Sequence, residues 1–405
     1  MTAALEGIRV FDLSRILAGP SCTQILGDLG ADIIKVEQPG RGDDTRKWGP
    51  PYLKKSDGSD SSEAAYYLGA NRNKRSLTLD IATAEGQSLA RRLIGISDIF
   101  LENYKVDGLK KYGLSYKDLK DEFPQLIYCS ITGFGQTGPY APRAGYDYLI
   151  QGMSGLMSVT GEADGGPMKV GVPVSDLITG MYATVAILSA LHHRTRTAEG
   201  QYIDMALLDS QLSWLYNQGM NYLVGGLIPH RRGNIHPNVG PCQAYRTSNG
   251  NLNLMIGNND QFLKFCTVAG IPEVAEDTRF TENSGRMENL IALNEIIEPI
   301  MVARTTEDWL VTLDKVKVGA APINTVEEIL NDPQVESRGM RIALPHEAAG
   351  DQLLKMIASP IKMSKTPTEY RYPPPMLGQH TDEVLRDLLG LSHEQIKDLR
   401  DRQIV

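Results

Sequence analysis

The stretch IRVFDLSRILAGPSCTQILGDLGADIIKVE, residues 8–37, decides the fold. It opens with IRVFDL (8–13) and closes with ADIIKVE (31–37), two short runs rich in β-branched and apolar residues. Between them TQILGDLG spaces its apolar residues as a helix does. The pattern is strand–helix–strand, the unit that builds a parallel sheet. It returns downstream as RSLTLD (75–80), a helix from AEGQSLARRLI, SDIFLE (97–102), a short helix near YKDLKD, and LIYCSITG (126–133). The expected class is therefore α/β, around a parallel sheet buried on both faces. No strand run ends in GxGxxG or GxxxxGK[ST], so neither a dinucleotide fingerprint nor a P-loop is present.

From Ser175 the run SDLITGMYATVAILSALHH is almost free of charge for several turns and reads as a core helix. Asp176 sits at its start, and Gly180 is tolerated inside it. A further apolar helix is expected near 205–225. The segment GGLIPHRRGNIHPNVGP (225–241) has no periodicity and reads as a linker. QAYRTSNGNLNLMI reads as a hairpin about Asn249-Gly250, followed by the loop GNNDQF and a helix, in a small α+β lobe. A second boundary falls near Pro333. The expected domains are 1–224, the first part of a large domain; 225–333, linker and small domain; and 334–405, which returns to the large domain. In the closing PPPMLGQHTDEVLRDLLGL, Thr381 is the expected N-cap, with Asp382 and Glu383 in the first turn.

The chain has 405 residues, 41% hydrophobic and 22% charged, enough for a large core divided into two or three lobes. A formal net charge of −8 argues against nucleic-acid binding, so any anionic ligand needs a local basic patch. The four cysteines form no CxxC pair, which suits reduced thiols rather than a disulfide framework or a structural zinc. The seven histidines form no HExxH, so no metal is expected. No basic leader and no uninterrupted apolar run of about 18 residues is found. The expected location is the cytoplasm, or mitochondria if a presequence has been removed.

Since GxSxG is also missing, carboxylates are the remaining candidates for chemistry. Asp176 has two readings. An acidic residue in the first turn of an apolar helix is commonly a cap. Alternatively, the helix terminus supports a reactive carboxylate and the oxyanions formed beside it. Spacing alone favours the cap.

The surrounding text favours the other reading. DLSRILAGP, GDLGADIIKVEQPGRGDDTR, NRNKRSLTLD, DIFLENY, ITGFGQTGP, GYDYLIQGMSG, VPVSDLITGMYA and PPMLGQHTDEVL, in this order along nearly the whole chain, resemble the class III CoA-transferases. That family includes formyl-CoA transferase and carnitine CoA-transferase. Within it, RILAGP, GDDTRKWGPPY, YCSITGFGQTGP and PPPMLGQHTDEVL are most similar to the succinyl-CoA:glutarate (dicarboxylate) enzymes. The resemblance implies a Rossmann-like large domain built from both chain ends, a small domain between, and an intertwined homodimer. It implies that Asp176, with Thr179 and Gly180, is the catalytic nucleophile, forming aspartyl anhydrides and an aspartyl-CoA thioester. Near neutral pH an Asp of ordinary pKa is ionised and needs no base.

For coenzyme A the resemblance points to Arg75, Asn103, Tyr104 and Lys111, and to Gln38 where the formyl-CoA enzyme has arginine. Arg41 is a further candidate by charge, as are Arg72, Lys74 and Lys110 more weakly. For the acid it points to Leu17, Trp48, Tyr146 and Asp147, with Arg15 or Arg46 as the cation for a distal carboxylate. A lid loop is implied at Gly257, Asn258 and Asn259. Acyl-CoA is a substrate rather than a resident cofactor, and glutarate, itaconate, mesaconate or citramalate is the expected acid. Two alternatives stay open: a racemase of the α-methylacyl-CoA type, whose histidine is replaced by Tyr146, and an acyl-CoA-binding protein without catalysis.

Overall fold

In the computed structural model, which describes residues 3–405, the stretch 8–37 folds as β1 (Arg9–Asp12), α1 (Ala18–Asp28) and β2 (Asp32–Glu37). There follow β3 (Lys74–Thr78), α2 (Ala84–Gly95), β4 (Ile99–Glu102), β5 (Ile127–Thr132), α3 (Asp147–Met153), α4 (Val174–Thr197), β6 (Tyr202–Ala206) and α5 (Leu207–Ser213). The six strands pair in the order β3-β2-β1-β4-β5-β6, all parallel. Strand order reverses between β1 and β4, and a crevice opens at such a point beyond the carboxyl ends of the strands.

The chain divides into two compact units, one of residues 1–156, 170–215 and 334–405, the other of 157–169 and 216–333. The second unit contains α6 (Tyr216–Gly225), an antiparallel sheet of β7 (Cys242–Arg246), β8 (Asn251–Met255) and β9 (Gly319–Pro322), and α7 (Asn259–Ala269). Its core is built on Trp309, Phe262, Phe265 and Phe280. The first unit closes with α8 (Thr381–Leu389) and α9 (His393–Asp401).

Alternate residues of each strand enter opposite cores, as a sheet covered on both faces requires. Phe11 and Phe100 pack with Leu89 and Leu93 of α2 and with Val384, Leu385 and Leu399 of α8 and α9. Val10, Ile99 and Leu101 pack with Cys22 and Leu26 of α1 and with Ala183 and Ile187 of α4. By length and hydropathy α4 is apolar enough to cross a membrane, yet half of that stretch is buried within the protein.

Four expectations need correction. All six strands of the sheet lie within residues 9–206; the C-terminal return contributes helices and a separate hairpin (341–345 with 353–357), not sheet strands. The apolar run at 205–225 is the end of β6 followed by two helices, because Tyr202–Ala206 finds a partner in β5 that local periodicity does not reveal. His380, not Thr381, precedes the first turn of α8; the Thr381 hydroxyl instead accepts the Thr78 N–H at 3.0 Å. His380 and Ser76 also exchange bonds, Ser76 N–H to His380 Nδ1 at 3.2 Å and His380 N–H to Ser76 O at 2.9 Å, which seals the free edge of β3. Finally, GNNDQF is mostly helix: Asn258 caps α7 by accepting the Gln261 N–H at 2.9 Å, and Asn259 is its first residue.

Candidate active site

The site begins with two helices in close contact. A Cβ added at Gly180 of α4 would lie 2.1 Å from Ser21 Oγ and 2.7 Å from the carbonyl oxygen of Ala18, so only glycine permits this crossing with α1. Asp176 lies one turn earlier on the same face of α4 and is thereby brought to the start of α1. Thr179 is buried between them, its hydroxyl donating to Ser175 O at 2.7 Å. The D-x-x-T-G spacing is thus a packing device as much as a chemical one.

Asp176 is not a cap. The residue preceding α4 is Pro173, which offers no side-chain bond, and Asp147 of α3 accepts the Ser175 N–H at 2.8 Å in its place. Gln151 Nε2 holds the other Asp147 oxygen at 2.8 Å, and the Ser175 hydroxyl donates to Gln211 at 2.8 Å. Asp176 is 8% exposed, and among the described residues neither of its oxygens accepts a hydrogen bond. Burial first, and the Asp147 carboxylate second, push its carboxyl up to about 7. This corrects the expectation of a fully ionised carboxylate. A poorly solvated carboxylate is a better nucleophile once ionised, but part of the population carries a proton at neutral pH.

Asp176 faces a cleft of about 390 Å³ at the carboxyl ends of β1, β4 and β5. Arg15, Ile16, Leu17 and Ala18 enter it after β1, Asn103 and Tyr104 after β4, and Thr132 and Gly133 at the end of β5. Tyr146 joins them because Gly145 lies against Gly133, where a Cβ on either would come within 2.4 Å of the other's Cα. Four cations line the cleft (Arg15, Lys105, Lys111 and Arg143) against the carboxylates of Asp44 and Asp176. A second hollow of about 230 Å³ shares Arg15, Tyr104 and Tyr112 with it. The floor of that hollow is Leu13, Val36, Leu79 and Ile81, with Gln38 at its rim. Together they form a groove, cationic at one end, whose other end sets Glu37, Asp43 and Asp80 around that aliphatic floor. Tyr66 was not anticipated, nor were Lys105 and Arg143. Burial, then Asp176 and Asp147, push the Tyr66 hydroxyl up to about 12, and its ring packs edge-on against Trp48 at 5.1 Å. A tyrosine without a motif gives no signal in sequence, whereas Lys105 directly follows the ENY string.

Several expected contacts are spent elsewhere. Arg46 is buried and bonded to Glu37 and Glu63 at 2.8 and 2.9 Å, to Tyr67 and to Pro375 O, so its charge is already paired away from the cleft. Arg75 stands early in β3, away from the carboxyl ends, paired with Asp32 and Glu383 at 2.7 and 3.0 Å. Arg72 and Lys74 are likewise buried on Asp28 and Asp12. A buried cation requires a partner, and partners are invisible in a list of basic residues. Arg41 is exposed and, with Arg15, pairs with Asp44 at 2.9 Å. Lys111 lies over the Tyr112 ring at 4.6 Å. Asp147 bridges helices beside Asp176 instead of lining the cleft, and Gly257, Asn258 and Asn259 belong to the second unit.

The comparisons agree on one relationship. Residues 5–381 match the sequence model of CoA-transferase family III. The chain is 50% identical over 384 residues to succinate–glutarate CoA-transferase of Agrobacterium fabrum, covering 95% of each chain. It is 40% identical to succinyl-CoA:glutarate CoA-transferase of Mus musculus, covering 98% of this chain and 88% of that one. The crystal structure of a CAIB/BAIF family protein from Brucella suis superposes with a TM-score of 0.84 at 47% identity, covering 96% of this chain and all of that one.

Proposed function

This chain belongs to CoA-transferase family III, and from that membership we propose that it carries coenzyme A from succinyl-CoA to glutarate or another short dicarboxylic acid through Asp176. One observation carries this reading: the buried carboxyl of Asp176, which accepts no hydrogen bond among the described residues, faces a cationic cleft. The acids are those for which the relatives from Agrobacterium fabrum and Mus musculus are named. Arg15, half exposed in the cleft, supplies the charge for the distal carboxylate. Leu17 beside it is apolar and suits the methylene chain.

In the first step an Asp176 oxygen attacks the thioester carbonyl of succinyl-CoA; the C–S bond breaks, CoA thiolate leaves, and a succinyl-aspartyl anhydride remains. The thiolate then attacks the aspartyl carbon, expelling succinate and leaving an aspartyl-CoA thioester. Glutarate attacks that carbon, again releasing thiolate and forming a glutaryl-aspartyl anhydride. Attack of the thiolate on the glutaryl carbon gives glutaryl-CoA and restores the carboxylate. Every step exchanges one anion for another, so no proton donor is needed. Among the described residues no histidine lines the cleft to serve as the second base of a racemase. The positive end of α1, beginning at Ala18 in the cleft wall, favours the oxyanions that form beside Asp176.

The aliphatic floor of Leu13, Val36, Leu79 and Ile81 suits the adenine ring, and Lys105, Lys111 and Arg143 suit the phosphates. Met181, Tyr182 and Val185 of α4 and Leu212 of α5 are exposed, which favours burial against a second copy of the chain. Four free cysteines suit a reducing compartment such as the cytoplasm.

The deciding experiment incubates the protein with succinyl-CoA, quenches with hydroxylamine and maps the label by peptide mass spectrometry. Hydroxamate at Asp176 is expected, and transfer to glutarate should exceed that to itaconate, mesaconate or citramalate. Transfer without label at Asp176, or undiminished transfer in Asp176→Ala, defeats the mechanism. Failure to esterify any dicarboxylic acid defeats the choice of substrate.

A further inference from the structure

Ile16 has a φ of 71°, in the left-handed region that a β-branched residue enters only under constraint. The constraint is visible atom by atom. Asn103, which follows β4, brackets the preceding residue: its Oδ1 accepts the Arg15 N–H at 2.9 Å and its Nδ2 donates to Arg15 O at 2.7 Å. Asp43 accepts the Ile16 N–H at 3.2 Å. Asp43 is fixed in turn by Lys35, which also donates to Ser14 O at 3.1 Å. Three successive backbone units are therefore held by side chains, one of them reaching across the gap where strand order reverses.

We infer that Asn103 is a positioning residue for the acid: by clamping Arg15 it keeps Ile16 in its left-handed turn and so aims Arg15 and Leu17 into the cleft beside Asp176. Its carboxamide oxygen and an amide hydrogen are spent on Arg15, which makes this a different role from a side-chain contact to coenzyme A. The turn sets where α1 begins, because Leu17 is the residue preceding its first turn. A relaxed turn would swing Arg15 away from Asp176, while the other residues assigned to the nucleotide, Lys105, Lys111 and Arg143 and the floor of Leu13, Val36, Leu79 and Ile81, stay in place. This inference rests on the proposed reading of Arg15 as the contact for a carboxylate.

The test compares the full-length enzyme with Asn103→Ala and with Asn103→Ala/Ile16→Gly. In Asn103→Ala the KM for glutarate should rise about tenfold or more, while the Kd of free coenzyme A, measured by calorimetry, stays within about twofold. Glycine adopts a positive φ without a side-chain penalty, so the double variant should recover most of the lost KM. General damage to the fold would lower kcat and the active fraction together, and glycine would not restore them. Weakened coenzyme A binding with an unchanged acid KM overturns the inference, as does a failure of the glycine rescue. Should the wild type esterify only monocarboxylic acids, the substrate reading fails by itself; the same KM split is then expected with that acid through Leu17, and its absence overturns the inference too.

Discussion

Asp147 Oδ1 accepts the Ser175 N–H at 2.8 Å, so the helix that presents Asp176 is capped by a carboxylate 28 residues upstream. That cap places a second negative charge beside the nucleophile and, after burial, is the cause of its raised pKa. The kcat/KM for succinyl-CoA should therefore rise with pH through an ionisation near 7. Asp147→Asn keeps an acceptor oxygen for Ser175 but removes the charge, and should move that midpoint to lower pH. Comparing the two pH profiles separates Asp176 from ionisations of the substrate; coincident midpoints would disprove the coupling.

The same shift has a cost in stability. A carboxyl whose folded pKa, about 7, exceeds its ordinary value of 3.8 binds more protons when folded than when unfolded, so stability falls as pH rises from 4 through 7. Asp176→Asn removes this penalty. At pH 8 the variant should be more stable than the wild type by up to about 4 kcal/mol, and the difference should vanish towards pH 4. Denaturant titrations at the two pH values provide the measurement, and a variant less stable at pH 8 would refute the claim.

Three arginines should separate cleanly. Arg15→Ala should raise the KM for glutarate by about tenfold or more with little change in the denaturation midpoint. Arg46→Ala strands the buried carboxylates of Glu37 and Glu63 and should cost about 3–5 kcal/mol of stability. Arg75→Gln should also destabilise, yet the folded fraction should bind coenzyme A with wild-type affinity. Calorimetry with coenzyme A and urea unfolding distinguish the outcomes; weakened binding by folded Arg75→Gln would return that residue to the site.

Gly180→Ala is a small substitution with a large expected effect. Its methyl group would meet a backbone carbonyl as well as Ser21, so α1 and α4 must separate, at a cost of about 1–3 kcal/mol. Transfer activity should fall further than the stability loss explains, because Asp176 rides on the displaced face. Activity per folded molecule equal to wild type would contradict this.

Much of the scaffold was legible because it is local: the strand–helix–strand reading of 8–37 needs only neighbours in the chain, and the long apolar helix announces itself. β6 was not, since Tyr202–Ala206 runs directly into α5 and becomes a strand only by pairing with β5. Asp176 was identifiable through the strings around it, but its state of ionisation was not, because that follows first from its burial in the fold and then from Asp147, which approaches from another helix. The basic residues showed the opposite limit. Arg46 and Arg75 have the right charge for a ligand, and only their buried partners disclose that the charge is already used.

The sealed edge of β3 carries a consequence in time. Ser76 reaches its partner His380 across 304 positions, and Asp80 N–H bonds to Ile404 O at 2.8 Å. While the chain is being synthesised, all six strands of the sheet emerge long before the residues that cover its outermost strand. Until those residues arrive, β3 offers a bare row of amides and carbonyls to any passing strand. Such distant contacts form slowly, so the nascent protein spends an interval with its sheet assembled and its edge unprotected, when another copy is the hazard.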